Sequence, residues 1–154
     1  MPKVDLESIP QISRTGYPTP FDAPVAGRLH RRLAPAVGLT EFGASHVMLE
    51  PGAWSSQRHW HEGEDELLVM TGGEAVLIED EGETILRTGD VAAWAKGVRN
   101  GHHLVNRALE PCTFVVIGAG SELGGAYSDI DMIFTPEGDY RHRDGTPYPA
   151  TRAG

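Results

Sequence analysis

The chain has 154 residues, enough for one domain with a substantial core, and its 22 acidic and 13 basic side chains leave a net charge of −9. That balance argues against a nucleic-acid partner, because phosphate contacts need clustered Lys and Arg. A single cysteine, Cys112, excludes an intrachain disulfide and a thiolate-rich zinc site. Met1 to Pro10 has no apolar signal core and no run approaches roughly 18 apolar residues, so a cytoplasmic protein without a membrane partner is expected.

In chain order, residues 1–35 read as a proline-rich N-terminal arm. Pro2, Pro10, Pro18, Pro20 and Pro24 leave no periodic pattern, which predicts an extended segment with little helix, packed across the domain or onto a partner. Its end, Arg28 to Leu33, has the composition of a strand closed by Pro35 and Gly38. Residues 36–120 then carry short strands between turn signals: Ala44–Leu49, Gln57–His61, Glu66–Met70, Ala75–Glu79, Thr84–Leu86, Val91–Trp94, His102–Asn106 and Cys112–Ile117. A hairpin is expected across Asp80 to Glu83. Gly118 to Gly125 breaks the pattern. Residues 121–154 add a late strand over Ser128–Phe134 and a polar tail from Asp139 that is expected to be mobile. Nearly all regular structure is strand, so the fold class is all-β, a sandwich or a barrel.

Alternation along these strands carries an expectation about assembly. If His59 and His61 point inward, Trp60 points out; if Glu66 does, so do Leu68 and Met70, with Leu67 and Val69 outside. Ala75–Ile78 and Phe114–Ile117 are apolar on both faces, and such a sheet needs a cover on each. A homodimer is expected, with Trp60 near the cover.

The chemistry concentrates in Arg58-His59-Trp60-His61-Glu62-Gly63-Glu64-Asp65-Glu66. Two histidines one residue apart share a strand face, a carboxylate follows at the head of an apolar run, and a second histidine stretch, Gly101 to Asn106, lies further on. Two His, one Glu and a third His suit a divalent transition metal. Glu66 is preferred over Glu62, Glu64 and Asp65, which precede the apolar strand. His103 faces away from His102 in a regular strand, whereas a bulge at Asn100-Gly101 exchanges the two.

The stretch Gly52 to Gly73 resembles the first signature of the cupin superfamily, G-x(5)-H-x-H-x(3,4)-E-x(6)-G, with one extra residue before His59. Gly89, Gly97, His102 and Asn106 resemble the second, G-x(5)-P-x-G-x(2)-H-x(3)-N, with Ala95 at the proline and two residues inserted before His102. Arg58 to His61, Asn100 to Asn106 and Asp144 to Tyr148 further resemble a group of small single-domain bacterial cupins, whose members carry sugar-phosphate isomerase-like labels.

The resemblance implies a double-stranded β-helix, or jelly-roll barrel, with one Mn, Fe, Ni, Co or Zn ion held by His59, His61, Glu66 and His102 and open positions for substrate. It implies a metal-dependent enzyme acting on a small polar or anionic molecule, by isomerase-like or dioxygenase-like chemistry. The alternatives are a non-catalytic module binding a sugar or carboxylate, and a metal-free cupin kept for its shape. Gln57, Met70 and Asn106 share the inward parity and are the candidates for substrate contact. Leu68, Met70 and Leu104 would line an apolar wall with Trp54 or Trp94 at the rim. Arg58, Lys96 and Arg99 are candidates for attracting an anion.

Overall fold

A computed structural model describes residues 3–149. Among these residues the arm carries two short 3-10 turns (Leu6–Ser8 and Ala23–Val25), and twelve strands follow: β1 (Arg28–Arg32), β2 (Gly43–Leu49), β3 (His59–His61), β4 (Glu64–Gly72), β5 (Glu74–Glu79), β6 (Gly82–Arg87), β7 (Val91–Trp94), β8 (His103–Val105), β9 (Cys112–Gly120), β10 (Gly125–Tyr127), β11 (Ile133–Phe134) and β12 (Tyr140–Arg141). A four-residue helix, α1 (Leu33–Ala36), joins β1 to β2. The expected all-β class and jelly-roll architecture hold.

One sheet has the order β1-β2-β9-β4-β7. The other face is built from two smaller sheets, β12-β11-β10-β3 and β6-β5-β8, and the pairing of His59 with His102 joins them. Every ladder is antiparallel. Alternation places the inner faces as expected: Leu68 and Met70 on β4 are buried, while Leu67 is 39% exposed. Val47, Leu49, Leu68, Met70, Leu77, Leu104 and Phe114 fill the space between the sheets. Burial of each such side chain stabilises the fold by about 1.5–3 kcal/mol before entropy is counted.

Two segments depart from expectation. β9 continues to Gly120, through part of the Gly118–Gly125 stretch, because Gly118 and Gly120 pair with Glu66 and Glu64 on β4. Small residues here permit close approach: a Cβ on Gly118 would lie 2.3 Å from Glu64 Oε1. The late strand expected over Ser128–Phe134 is strand only at β11, its last two residues; β10 precedes it and a loop lies between them. Over 139–149 the tail packs on the domain. Tyr140 and Arg141 form β12, Tyr148 stacks on His142 at 3.9 Å between ring centroids, and Arg143 donates to the Tyr127 carbonyl at 2.7 Å. Residues 150–154 lie outside the described residues.

The arm and the C-terminal strands meet in a second core. Tyr17 and Val25 from the arm pack with Tyr127 and Met132, and Phe21, Trp54, Phe134, Tyr140 and Tyr148 close around them. Gln57 ties the arm down: its Nε2 donates to the Phe21 carbonyl at 2.9 Å, and its backbone N–H donates to Tyr17 Oη at 3.3 Å. The arm is therefore packed on its own domain, and this aromatic core lies directly behind β3.

Candidate metal centre

β3 presents His59 and His61 inward, and β4 presents Glu66 from the opposite sheet. Ligand atoms of these three residues all lie within 4.8 Å of one another. His61 Nε2 stands 3.1 Å from His59 Nε2 and 3.1 Å from Glu66 Oε2. His102, just before β8, brings its Nε2 to 3.3 Å from the other oxygen, Glu66 Oε1.

The outer ring nitrogens decide which tautomers are present. His59 Nδ1 lies 3.0 Å from the Gln57 carbonyl, and His102 Nδ1 lies 3.1 Å from the Asn100 carbonyl. A carbonyl accepts and never donates, so both rings carry their hydrogen on Nδ1 and turn a bare Nε2 inward. His61 Nδ1 faces Glu64 Oε2 at 3.5 Å. Two ring nitrogens facing each other at 3.1 Å repel unless a proton or a cation lies between them. Neighbouring donors on an octahedral ion with bonds of about 2.1 Å lie about 3.0 Å apart, so this spacing fits a transition metal.

The electrostatics agree. Burial pushes the His59 imidazole down to about 3, so it stays neutral as a ligand requires. For Glu66, burial acts upward, but hydrogen bonds from His102 and His61, when those rings are protonated toward it, outweigh burial and hold the carboxyl well below its usual range; with Nε2 bare, a bound cation would have to take their place. For His61, burial acts downward and Glu66 and Glu64 outweigh it, so without an ion this ring retains a proton more readily than usual. The metal and that proton compete for one lone pair.

Residues outside the proposed ligand set hold this arrangement. The Trp94 indole stacks on His102 at 3.8 Å with an interplanar angle of 6°, a contact worth about 0.5–1.5 kcal/mol for an aromatic pair. Trp94 Nε1 donates to Glu79 Oε1 at 2.8 Å, and Asn100 Nδ2 donates to the same oxygen at 3.0 Å. Phe134 sits edge-on over His61 at 5.3 Å. Gly101 leaves no room for a side chain, since a Cβ there would lie 1.9 Å from Ser128 Oγ.

A cavity of about 280 Å³ opens onto the centre. His59, Glu66 and His102 lie at one part of it, Val47, Leu68, Leu104 and Phe114 form an apolar wall, and Tyr17, Arg28 and His30 complete the lining.

A family model for the cupin domain matches residues 45–118. A sugar phosphate isomerase from a cupin superfamily, from Silicibacter pomeroyi, is 41% identical over 99% of this chain and 100% of its own, with a TM-score of 0.90. The chain belongs to the cupin superfamily. Two more distant structures share the fold alone. One, a candidate sugar phosphate isomerase from Acidithiobacillus ferrooxidans, is 21% identical over 82% of this cupin and 84% of its own chain, with a TM-score of 0.69. The other, the polyketide cyclase RemF from Streptomyces resistomycificus, is 20% identical over 77% and 79%, with a TM-score of 0.60. Comparison with curated proteins returns no match.

Several candidate residues serve this cupin elsewhere. Gln57 holds the arm. Met70 is 1% exposed within the apolar core and does not line the cavity. Asn106 is fully buried and clamps its loop: Nδ2 donates to the Leu49 and Glu110 carbonyls, each at 2.9 Å, and Oδ1 accepts from the Ala108 N–H at 2.9 Å. Trp94 is under the centre rather than at a rim, and Trp54 packs edge-on against His103 at 4.7 Å in the second core.

The three basic candidates are likewise outside the cavity. Arg58 is forked onto Asp129 at 2.7 and 2.9 Å and also meets Asp80. Arg99 lies over Trp60 at 5.1 Å and near Glu62, on the side away from the histidines. Lys96 is exposed. His103, set aside in favour of His102, donates from Nδ1 to the Ser56 carbonyl at 2.8 Å. The basic residues that do line the cavity, Arg28 and His30, lie in what the sequence suggested was the end of the arm. Their strand alternation was the one available signal.

Proposed function

We propose that this cupin is a metal-dependent enzyme acting on a small, polar, anionic substrate, and that its reaction is isomerisation of a sugar phosphate. One divalent transition ion, Mn, Fe, Ni, Co or Zn, would be held by His59, His61, Glu66 and His102. Such an ion supplies Lewis-acid polarisation of a substrate oxygen and leaves open positions for it. The observation that carries the reading is the convergence of inward Nε2 lone pairs and one carboxylate, at metal-ligand spacing, on a cavity of about 280 Å³. The isomerase assignment draws on the 41% identity, over nearly the whole chain, to a protein named as a sugar phosphate isomerase.

The chain's own residues have distinct tasks in this reading. The backbone carbonyls of Gln57 and Asn100 fix the rings of His59 and His102. Val47, Leu68, Leu104 and Phe114 exclude water from one side of the substrate. Tyr17, which lines the cavity, is pushed up to about 12 chiefly by burial and stays neutral at physiological pH, its hydroxyl accepting from the Gln57 N–H. The protein would act as a cytoplasmic homodimer: Cys112 is a buried free thiol, compatible with a reducing compartment, and the outer face of the larger sheet is apolar. Among the described residues no helix is long and apolar enough to cross a membrane.

Elemental analysis of untagged protein, followed by incubation of the metal-replete form with aldose and ketose phosphates in D₂O, tests the reading. Expected are one equivalent of metal per chain and deuterium entering the carbon beside the carbonyl, both lost in His61→Ala. Dioxygen uptake by the Fe(II)-loaded protein without exchange would make it an oxygenase. Thermal stabilisation by a sugar or carboxylate without turnover would make it a binding module. Absence of stoichiometric metal after repletion would defeat the central claim.

A further inference from the structure

β1 turns two side chains into the cavity that the metal centre does not use. Arg28 pairs with Leu49 and His30 with Val47, both core residues, so Arg28 and His30 share the inner face of the sheet. Arg28 Nη1 donates to the Ser55 carbonyl at 2.9 Å. Its Nε is buried without a hydrogen-bond partner, and so is His30 Nδ1. Among the described residues no carboxylate oxygen comes within 4.0 Å of the Arg28 guanidinium. In a chain of net charge −9, an unpaired half-buried guanidinium beside an unsatisfied imidazole is unexpected unless an anion completes it.

The donors also specify the kind of anion. With Nη1 engaged, the free edge of Arg28 offers Nε–H and Nη2–H in parallel, the fork that fits two oxygens of one group. Burial, with Arg28 and Arg32 nearby, holds the His30 imidazole below its ordinary range, so it is neutral and offers one N–H. Two guanidinium donors and one imidazole donor match the three terminal oxygens of a phosphate better than the two of a carboxylate. A cavity of about 280 Å³ is at the small end of ligand pockets and suits a sugar-sized molecule rather than a nucleotide.

We propose that Arg28 and His30 bind the phosphate of a small phosphorylated substrate whose other end lies at the metal. The second half of that statement rests on the metal-enzyme reading; the phosphate contact itself does not.

Calorimetric titration with inorganic phosphate tests it, using acetate as the carboxylate probe. The proteins are the parent, Arg28→Gln, Arg28→Lys, His30→Gln and the metal-deficient His61→Ala. Phosphate is expected to bind the parent and His61→Ala alike, and more tightly than acetate. Loss of a charge-assisted fork should weaken it about 10–100-fold in Arg28→Gln, with a smaller loss in Arg28→Lys and in His30→Gln, and unchanged metal content in all three. If Arg28→Gln does not fold, Arg28→Lys and His30→Gln carry the comparison. Phosphate binding that disappears in His61→Ala and is untouched at Arg28 would place the anion on the metal and overturn the proposal, as would no binding to the parent. Acetate binding at least as tightly as phosphate would overturn the assignment to phosphate. Retained phosphate binding in a parent that takes up no metal would leave this site standing and defeat the metal reading alone.

Discussion

Glu79 shows how far the centre extends beyond its ligands. One carboxylate oxygen accepts from Trp94, the plate beneath His102, and from Asn100, whose own carbonyl fixes the His102 ring. Glu79→Ala should weaken metal affinity about 10–100-fold, the range for loss of an outer-shell partner. It should also cost about 1–3 kcal/mol of stability, because the buried Trp94 N–H loses its acceptor. Chelator competition and denaturant titration check both, with Glu83→Ala, at the exposed pair with Arg107, as the unaffected control. The proposed ligands were legible in the sequence, because same-face spacing on a strand depends only on local geometry. Glu79 and Asn100 were not. Their role arises from three strands meeting, and nothing in the sequence near Glu79 separates it from the turn acids that follow. The surface-seeming arginine Arg58 misled for the same reason, since its partners Asp80 and Asp129 are brought to it only by the fold.

At the scale of elements, Arg58 fastens the start of β3 to two loops: Asp129 between β10 and β11, and Asp80 in the turn between β5 and β6. Hydrogen bonding to Arg58 holds the Asp129 carboxyl below its ordinary value, with burial a smaller opposing influence. A carboxyl depressed in the folded state stabilises the fold above its ordinary pKa, and that contribution is lost as pH falls through the lower folded value. Asp129 is 59% exposed, so the effect is modest, about 1 kcal/mol or less. Asp129→Asn should be slightly less stable than the parent at pH 7, and the gap should close as pH falls below about 4. Denaturation across pH measures it; a gap constant from pH 7 to pH 3 would refute the assignment. Most strands were legible from alternation and turn residues. The failures lie where pairing, rather than pattern, makes the strand: Gly118 and Gly120 extend β9 because β4 is alongside, and Tyr140 and Arg141 become β12 because β11 offers an edge.

For the whole molecule, the outer face of the larger sheet is the open question of assembly. β4, β7 and β9 register Leu67 with Ala93 and Ile117, and Val69 with Val91 and Val115, so these six apolar residues form one continuous outward patch. Val91 is 57% exposed and Leu67 39%. A patch of this kind is the surface expected to be covered in a homodimer. Leu67→Glu combined with Val91→Glu should convert a dimer to a monomer in sedimentation velocity, with metal content unchanged. A parent that sediments as a monomer at micromolar concentration would end that expectation. Trp60, expected near the cover of a dimer, lies on the sheet of β3 beneath Arg99, away from this patch.

The aromatic core behind β3 imposes an order on biogenesis. The strand carrying His59 and His61 has β10 as its ladder neighbour, and the rings packed against it come from Tyr17 on one side of the sequence and Tyr127, Phe134 and Tyr140 on the other. A nascent chain leaves the ribosome from its N-terminal end. The four proposed ligands are therefore all synthesised well before the strands that hold two of them rigid. Stable loading of the proposed ion would thus be a late event, after β10 to β12 have emerged, and a stalled or clipped chain that lacks those strands would carry every proposed ligand yet no durable site.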